Sequence, residues 1–187
     1  MPSFYTRKGD DGFTNTLGEG RVAKSDERIE ALGTIDEVTS ALGMARSLCQ
    51  TPGVNDLVMH VQRDLYTLMS EVAAEPEVAH KVRTISESHV AWLEEQTDAI
   101  TAAVGVPKGF ILVGETRSGA AFGMARAIAR RAERRVVSLH QRTPFENIHL
   151  LRYLNRLSSL CFVLELQENH TCEKQPQMAA EKKKGKE

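Results

Sequence analysis

Two stretches of this 187-residue chain carry residue types whose spacing could do chemistry. The first is Tyr5-Thr-Arg-Lys-Gly-Asp-Asp-Gly-Phe-Thr14, followed by Leu17-Gly-Glu-Gly-Arg-Val22. Its glycines permit positive φ and close backbone approach, and Thr6, Asp10, Asp11 and Thr14 can bond nearby amides. That composition suits wrapping a polyphosphate. The spacing fits neither a Walker loop nor a dinucleotide fingerprint, and the plainer alternative is a turn-rich N-terminal segment. The second stretch is Gly119 to His140, where Arg126, Arg130 and Glu133 recur at i, i+4 and i+7, so that in a helix three ionised groups share one face. Taken alone, this is the pattern of a solvated surface helix, because exposed ion pairs are common and weak.

These side chains need a scaffold. Ala121, Ala125, Ile128, Ala129, Ala132, Val136 and Leu139 form an apolar stripe on the Arg-rich helix, as a bundle helix requires, and Arg131 and Arg135 fall on a third, solvent-directed face. Thr34 and Glu37 read as a capping box opening a helix to about Cys49, with Ile35, Val38, Ala41, Leu42, Ala45 and Leu48 inward and Asp36 in its first turn, where the dipole favours a carboxylate. A second helix is predicted from about Asn55 to Ala74, ended by Pro76, and a third from about Ser86 to Val104, ended by Gly105. Trp92 reads as core. The last helix is predicted from the Thr143-Pro-Phe-Glu146 start to about Leu166, with Asn155 and Arg156 interrupting its leucines and needing partners or a ligand. The connector 106–118 places Phe110 beside Gly109, either as a core plug or as a ring presented to a pocket. The expected fold is therefore an all-α, five-helix antiparallel bundle over residues 34–166, preceded by a long polar loop, 1–33, and followed by a disordered charged tail, 167–187.

Composition narrows the function classes. A formal net charge of −1 and 26% charged residues give no general nucleic-acid footprint. There is no run long enough to span a membrane and no signal or presequence pattern, so a cytoplasmic protein is expected. Cys49, Cys161 and Cys172 lack metal-ligand spacing and read as buried thiols in a reducing compartment.

Taken together, Tyr5 to Thr14, Arg28-Ile-Glu-Ala-Leu-Gly-Thr-Ile-Asp-Glu-Val38, Phe110-Ile-Leu-Val-Gly114, Ala125-Arg-Ala-Ile-Ala-Arg-Arg-Ala-Glu-Arg134 and Tyr153-Leu-Asn-Arg-Leu-Ser158 resemble the PduO-type ATP:cob(I)alamin adenosyltransferases. The resemblance covers nearly all of residues 4–166 and implies a homotrimer with active sites between subunits. It implies transfer of the 5′-deoxyadenosyl group of ATP to cob(I)alamin, giving adenosylcobalamin and triphosphate, with Mg²⁺ held mainly by phosphate oxygens and water rather than by a protein cage. Carried over by motif, Thr6, Gly9, Asp10, Gly12 and Thr14 would cradle the triphosphate, Lys24 would add positive charge, and Arg130, Glu133 and Asn155 would complete the nucleotide side. Asp36 and Arg126 would bridge two subunits. Phe110 would lie beneath the corrin and displace its lower ligand, leaving four-coordinate cobalt that is easier to reduce. A cob(II)alamin reductase and an adenosylcobalamin-dependent acceptor enzyme are the implied partners.

The chain departs from the family pattern at Val113-Gly-Glu-Thr116, where Pro-Gly-Gly is usual, at Gly123-Met124 in place of His-Val, and at Ser159 in place of Asp. These changes fall on the cobalamin side and keep open an alternative, a weakly catalytic or non-catalytic paralogue that binds ATP or cobalamin. A ferritin-like di-metal bundle is a third reading, because Glu77-Val-Ala-His80 and Glu146-Asn-Ile-His149 both have Glu-x-x-His spacing. Their positions near helix ends argue against it.

Overall fold

The computed structural model describes residues 5–18 and 20–180; the lysine run at 182–184 of the expected tail lies outside the described residues. The N-terminal segment folds into a small antiparallel hairpin, β1 (Phe13–Asn15) and β2 (Arg21–Ala23), with Thr14 opposite Val22. Helices follow as α1 (Glu27–Leu48), α2 (Val54–Ala73), α3 (Pro76–Val82), α4 (Glu87–Val104), α5 (Arg117–Arg142) and α6 (His149–Thr171). Five are long, as expected. The sixth, α3, is a seven-residue addition with Pro at its start and no buried residue, in the stretch between the second and third helices predicted from the sequence.

α1 packs on α2 and α5, α5 on α6, and α6 on α4. The ring closes where His60 of α2 stacks on Trp92 of α4 at 4.2 Å between centroids, and where Tyr153 of α6 donates a 2.9 Å hydrogen bond to Asp64 of α2. The core comprises Ile35, Leu42, Leu65, Leu68, Phe122, Leu154, Leu157 and Leu160. The predicted stripe of α5 is buried apart from Ile128, which sits at its margin, and the alanines let α1 and α6 approach on either side. Arg131, Arg135 and Arg142 are not simply solvated: they pair with Glu37, Glu30 and Glu27 along the exposed seam where α1 and α5 run antiparallel.

Three helix boundaries differ from the sequence expectation. α1 starts seven residues before Thr34, because Asp26 accepts from the Arg28 amide at 2.8 Å and caps it. Thr34 lies inside the helix, its hydroxyl donating to the Ala31 carbonyl. α6 starts at His149 rather than Thr143: Glu146 is drawn to Arg83, while buried Asn147 donates to Glu71 Oε2 and the Ile85 carbonyl, both at 2.8 Å, and accepts from the His149 amide. α6 also continues past Leu166 to Thr171, since Leu166, Glu168 and Asn169 remain buried and Glu168 accepts from the Gln50 and Thr51 amides. Beyond it the chain turns back and pairs with the 106–116 connector, Leu112 N donating to Gln177 O at 2.8 Å and Ala179 N to Phe110 O at 2.9 Å.

Candidate functional site

The hairpin groups the N-terminal residues around one exposed turn. Arg7 and Gly12 adopt positive φ, 60° and 82°, which bends the chain back on itself. The Lys24 amide donates to the Gly12 carbonyl at 2.8 Å, and a Cβ at Gly9 would meet Lys24 Nζ at 3.0 Å, so glycine there lets the ammonium lie over the turn. Thr6, Asp10 and Lys24 are exposed around it, and Thr14 is half-buried in β1. Arg21 braces the turn through two hydrogen bonds to Asp11 and one to the Lys8 carbonyl, and this pairing lowers the Asp11 carboxyl below its usual pKa. The hairpin is fastened to the end of α2 by Leu17 N to Ala73 O and by Thr16 Oγ1 to Glu75. Buried Arg28 donates to the Val72 and Ala74 carbonyls in the same region, satisfying the C-terminal end of α2.

The Arg-rich face of α5 opens elsewhere. Arg126 and Arg130 line a cleft of about 520 Å³ between α5, α6 and the connector, and Phe110 stands at its mouth. The ring is 89% exposed, so it is no core plug. The rest of the wall is mostly apolar: Pro107, Ile111, Val113, Phe162 and Val163. Arg130 also borders a shallower hollow with Glu133 and Gln141. Glu133 Oε1 accepts from Asn155 Nδ2 at 2.7 Å, Asn155 Oδ1 accepts from Arg156, and Arg156 pairs with Glu94 at 2.6 Å. The polar interruption in α6 is thereby partnered, and it holds Glu133 beside Arg130.

The structure thus gathers Phe110, Arg126 and Arg130 in one cleft, with Glu133 and Asn155 on its flank. It does not bring the hairpin there. Among the described residues no hydrogen bond or ion pair joins Thr6, Gly9, Asp10, Gly12, Thr14 or Lys24 to this cleft, and Asp36, exposed on α1, forms no ion pair with Arg126. The two Glu-x-x-His motifs sit on exposed α3 and ahead of α6, with Glu77, His80 and Glu146 all exposed, so they do not converge in the bundle core.

One residue of the cleft wall has no sequence expectation behind it. Glu165, buried on α6, has neither carboxylate oxygen hydrogen-bonded among the described residues, and burial raises its pKa to about 7 despite the opposing pull of Arg126. A lone acid within Leu160-Cys-Phe-Val-Leu-Glu-Leu166 is the signal that could have singled it out. One turn away, Cys161 is a buried thiol raised to about 12, hence protonated and chemically inert.

Comparison with known proteins is consistent with this geometry. The family model for cobalamin adenosyltransferase matches residues 4–168. A corrinoid adenosyltransferase of Bacillus subtilis (strain 168) is 41% identical over 164 residues, covering 84% of this chain and 82% of that protein. The corrinoid adenosyltransferase PduO of Citrobacter freundii is 36% identical over 169 residues, 90% of this chain, and the chain spans 50% of that relative's length. Among solved structures, a variant PduO-type ATP:corrinoid adenosyltransferase from Lactobacillus reuteri, complexed with cobalamin and ATP, superimposes with a TM-score of 0.89 at 31% identity over 96% of this chain and all of that one.

Proposed function

The chain belongs to the cobalamin adenosyltransferase family, and from that premise we propose that it transfers the 5′-deoxyadenosyl group of ATP to cob(I)alamin and releases triphosphate. The observation that carries the reading is the cleft that holds an exposed Phe110 ring and the Arg130 guanidinium within one apolar-walled space. A flat, largely apolar ligand fits against the ring and the Ile111, Val113 and Phe162 wall, while the guanidinium faces the anion. The attacking centre on reduced cobalamin is already a strong nucleophile, so the chain's task is orientation of two large ligands and stabilisation of negative charge on the leaving triphosphate.

Arg130 supplies the opposing positive charge from α5, with Glu133 held beside it by Asn155. Lys24 and the backbone amides of the Thr6–Thr14 turn supply the rest from a different part of the molecule. A homotrimer reconciles the two halves: the hairpin of one copy meets the α5 face of the next, and Asp36 of one copy finds Arg126 of its neighbour. Mg²⁺ accompanying ATP would be carried mostly by phosphate oxygens and water, and Glu133, whose second oxygen accepts no hydrogen bond among the described residues, could hold one of those waters at the rim of the Arg130 hollow. Phe110 excludes a lower cobalt ligand by occupying its place. The reduced substrate implies a cob(II)alamin reductase as partner and the product an adenosylcobalamin-dependent acceptor enzyme. No helix among the described residues is long and apolar enough to cross a membrane, and the setting we propose is the cytoplasm.

The test is anaerobic incubation with cob(I)alamin, ATP and Mg²⁺, followed by the visible spectrum. Conversion to adenosylcobalamin with stoichiometric triphosphate is expected. ATP binding without triphosphate release would replace the enzyme with a binding paralogue.

A further inference from the structure

Glu165 is the one acid in the wall of the Phe110 cleft, and its placement is unusual on three counts. It is 1% exposed, neither oxygen has a hydrogen-bond partner among the described residues, and the nearest cation, Arg126, approaches without forming an ion pair. Arg126 is itself incomplete, with Nε buried and unpartnered. An unpaired acceptor and an unpaired donor lining the same cleft, both withdrawn from water, cost stability, and such a cost persists where a ligand later satisfies both.

The local packing explains how the carboxyl is both housed and reachable. A Cβ at Gly123 would lie 2.5 Å from Val113 Cγ1 and 3.2 Å from Glu165 Oε2, so only glycine at 123 lets Val113 of the connector and Glu165 of α6 occupy the same corner. Val113 is 47% exposed on a connector flanked by glycines with positive φ, Gly109 at 147° and Gly114 at 132°, and both it and Glu165 line the cleft. Val113 and Gly123 are two of the positions at which the sequence leaves the pattern of the family it resembles, and a side chain at 123 would run into both Val113 and Glu165.

The chemistry of the two orphaned groups selects the ligand. A carboxyl here repels a triphosphate, so the nucleotide is not its partner. A primary carboxamide offers an N–H donor for Glu165 and a carbonyl acceptor for Arg126 Nε in one rigid group. Corrinoid rings carry such amides around their rim. We propose that Glu165 is a positioning residue for the corrinoid substrate, taking a peripheral carboxamide of the ring together with Arg126 Nε. The terminal nitrogens of Arg126 stay free for Asp36 of a neighbouring copy. This rests on the adenosyltransferase reading above.

The experiment compares the full chain with Glu165→Ala and Glu165→Gln, measuring KM for cob(I)alamin and for cob(I)inamide, KM for ATP, and the melting temperature. For Glu165→Ala the expected result is a corrinoid KM about tenfold higher with either corrinoid, an ATP KM within about twofold of wild type, and a melting temperature raised by roughly 2 °C as the orphaned carboxyl is removed. Glu165→Gln, which can still donate and accept, should lie within about threefold of wild type in corrinoid KM. A residue that merely supports the fold would instead lower the melting temperature and leave KM unchanged. A folded Glu165→Ala variant with wild-type corrinoid KM overturns the proposal, as does a change confined to cobalamin, which would place the contact on the nucleotide tail. Absence of turnover in the wild-type chain defeats the parent reading instead, so the two failures are separable.

Discussion

Phe110 and Arg130 share a cleft yet their losses should read out differently. Arg130→Ala removes a guanidinium aimed at charge that grows as triphosphate leaves, so kcat/KM is expected to fall by about 10²–10³, visible in the spectral assay. Phe110→Ala should leave ATP affinity alone and abolish the four-coordinate cob(II)alamin signal in electron spin resonance. Glu165 makes a separate statement through pH. Its folded pKa is raised from 4.5 to about 7, so the folded state prefers the protonated acid. Its contribution is fully present below pH 4.5 and is lost as pH climbs through 7, by up to about 3 kcal/mol. Glu165→Gln should flatten that part of the pH-stability curve measured by denaturant unfolding; a curve parallel to wild type would show the carboxyl to be solvated.

At the level of elements, the return of residues 172–180 onto the connector has a mechanical role. Two backbone hydrogen bonds, Leu112 N to Gln177 O and Ala179 N to Phe110 O, clamp the connector at Phe110 itself and on the far side of Ile111. Met178 closes against Gly109, where a Cβ would come within 2.9 Å of its methyl. Deleting residues from Lys174 onward should therefore raise the corrinoid KM about fivefold while changing unfolding free energy by less than about 1 kcal/mol, because few apolar groups are withdrawn from the core. This clamp is invisible to composition: backbone pairing asks nothing of the polar side chains that made the segment read as tail. Periodicity, by contrast, exposed the long helices and most of the buried stripe of α5, though not Phe122 or the buried Ser118, Gly119 and Gly123 near its start. Boundaries were less legible where distant partners decide them. Asn147 is claimed by Glu71 and the Ile85 carbonyl, and Glu146 by Arg83, so the cap that reads well at Thr143 opens no helix.

For the whole molecule, the separation of the hairpin from the α5 cleft makes assembly the decisive property. If the chain assembles as proposed, Asp36→Arg should shift light scattering from the proposed trimer toward monomer and remove activity, while the double exchange Asp36→Arg with Arg126→Asp should recover the larger species. A wild-type mass of one 20.7 kDa chain at assay concentration would leave the two half-sites apart. The sequence motifs suggest which residues would share such a site, but motif order carries no distance and does not say that no hydrogen bond or ion pair joins the two groups within the described residues of one chain. They also passed over Glu165, whose neighbours Val113 and Gly123 lie in other elements. The exposed ring at the cleft mouth has a thermodynamic corollary. Phe110, Val106, Leu112 and Val113 are 89%, 52%, 55% and 47% exposed, so apolar surface waits in water before any corrinoid arrives. Docking should carry a negative heat-capacity change, with the binding enthalpy growing more exothermic on warming. Titration calorimetry at several temperatures would capture it, whereas the single tryptophan, stacked on His60 across the bundle, would scarcely notice.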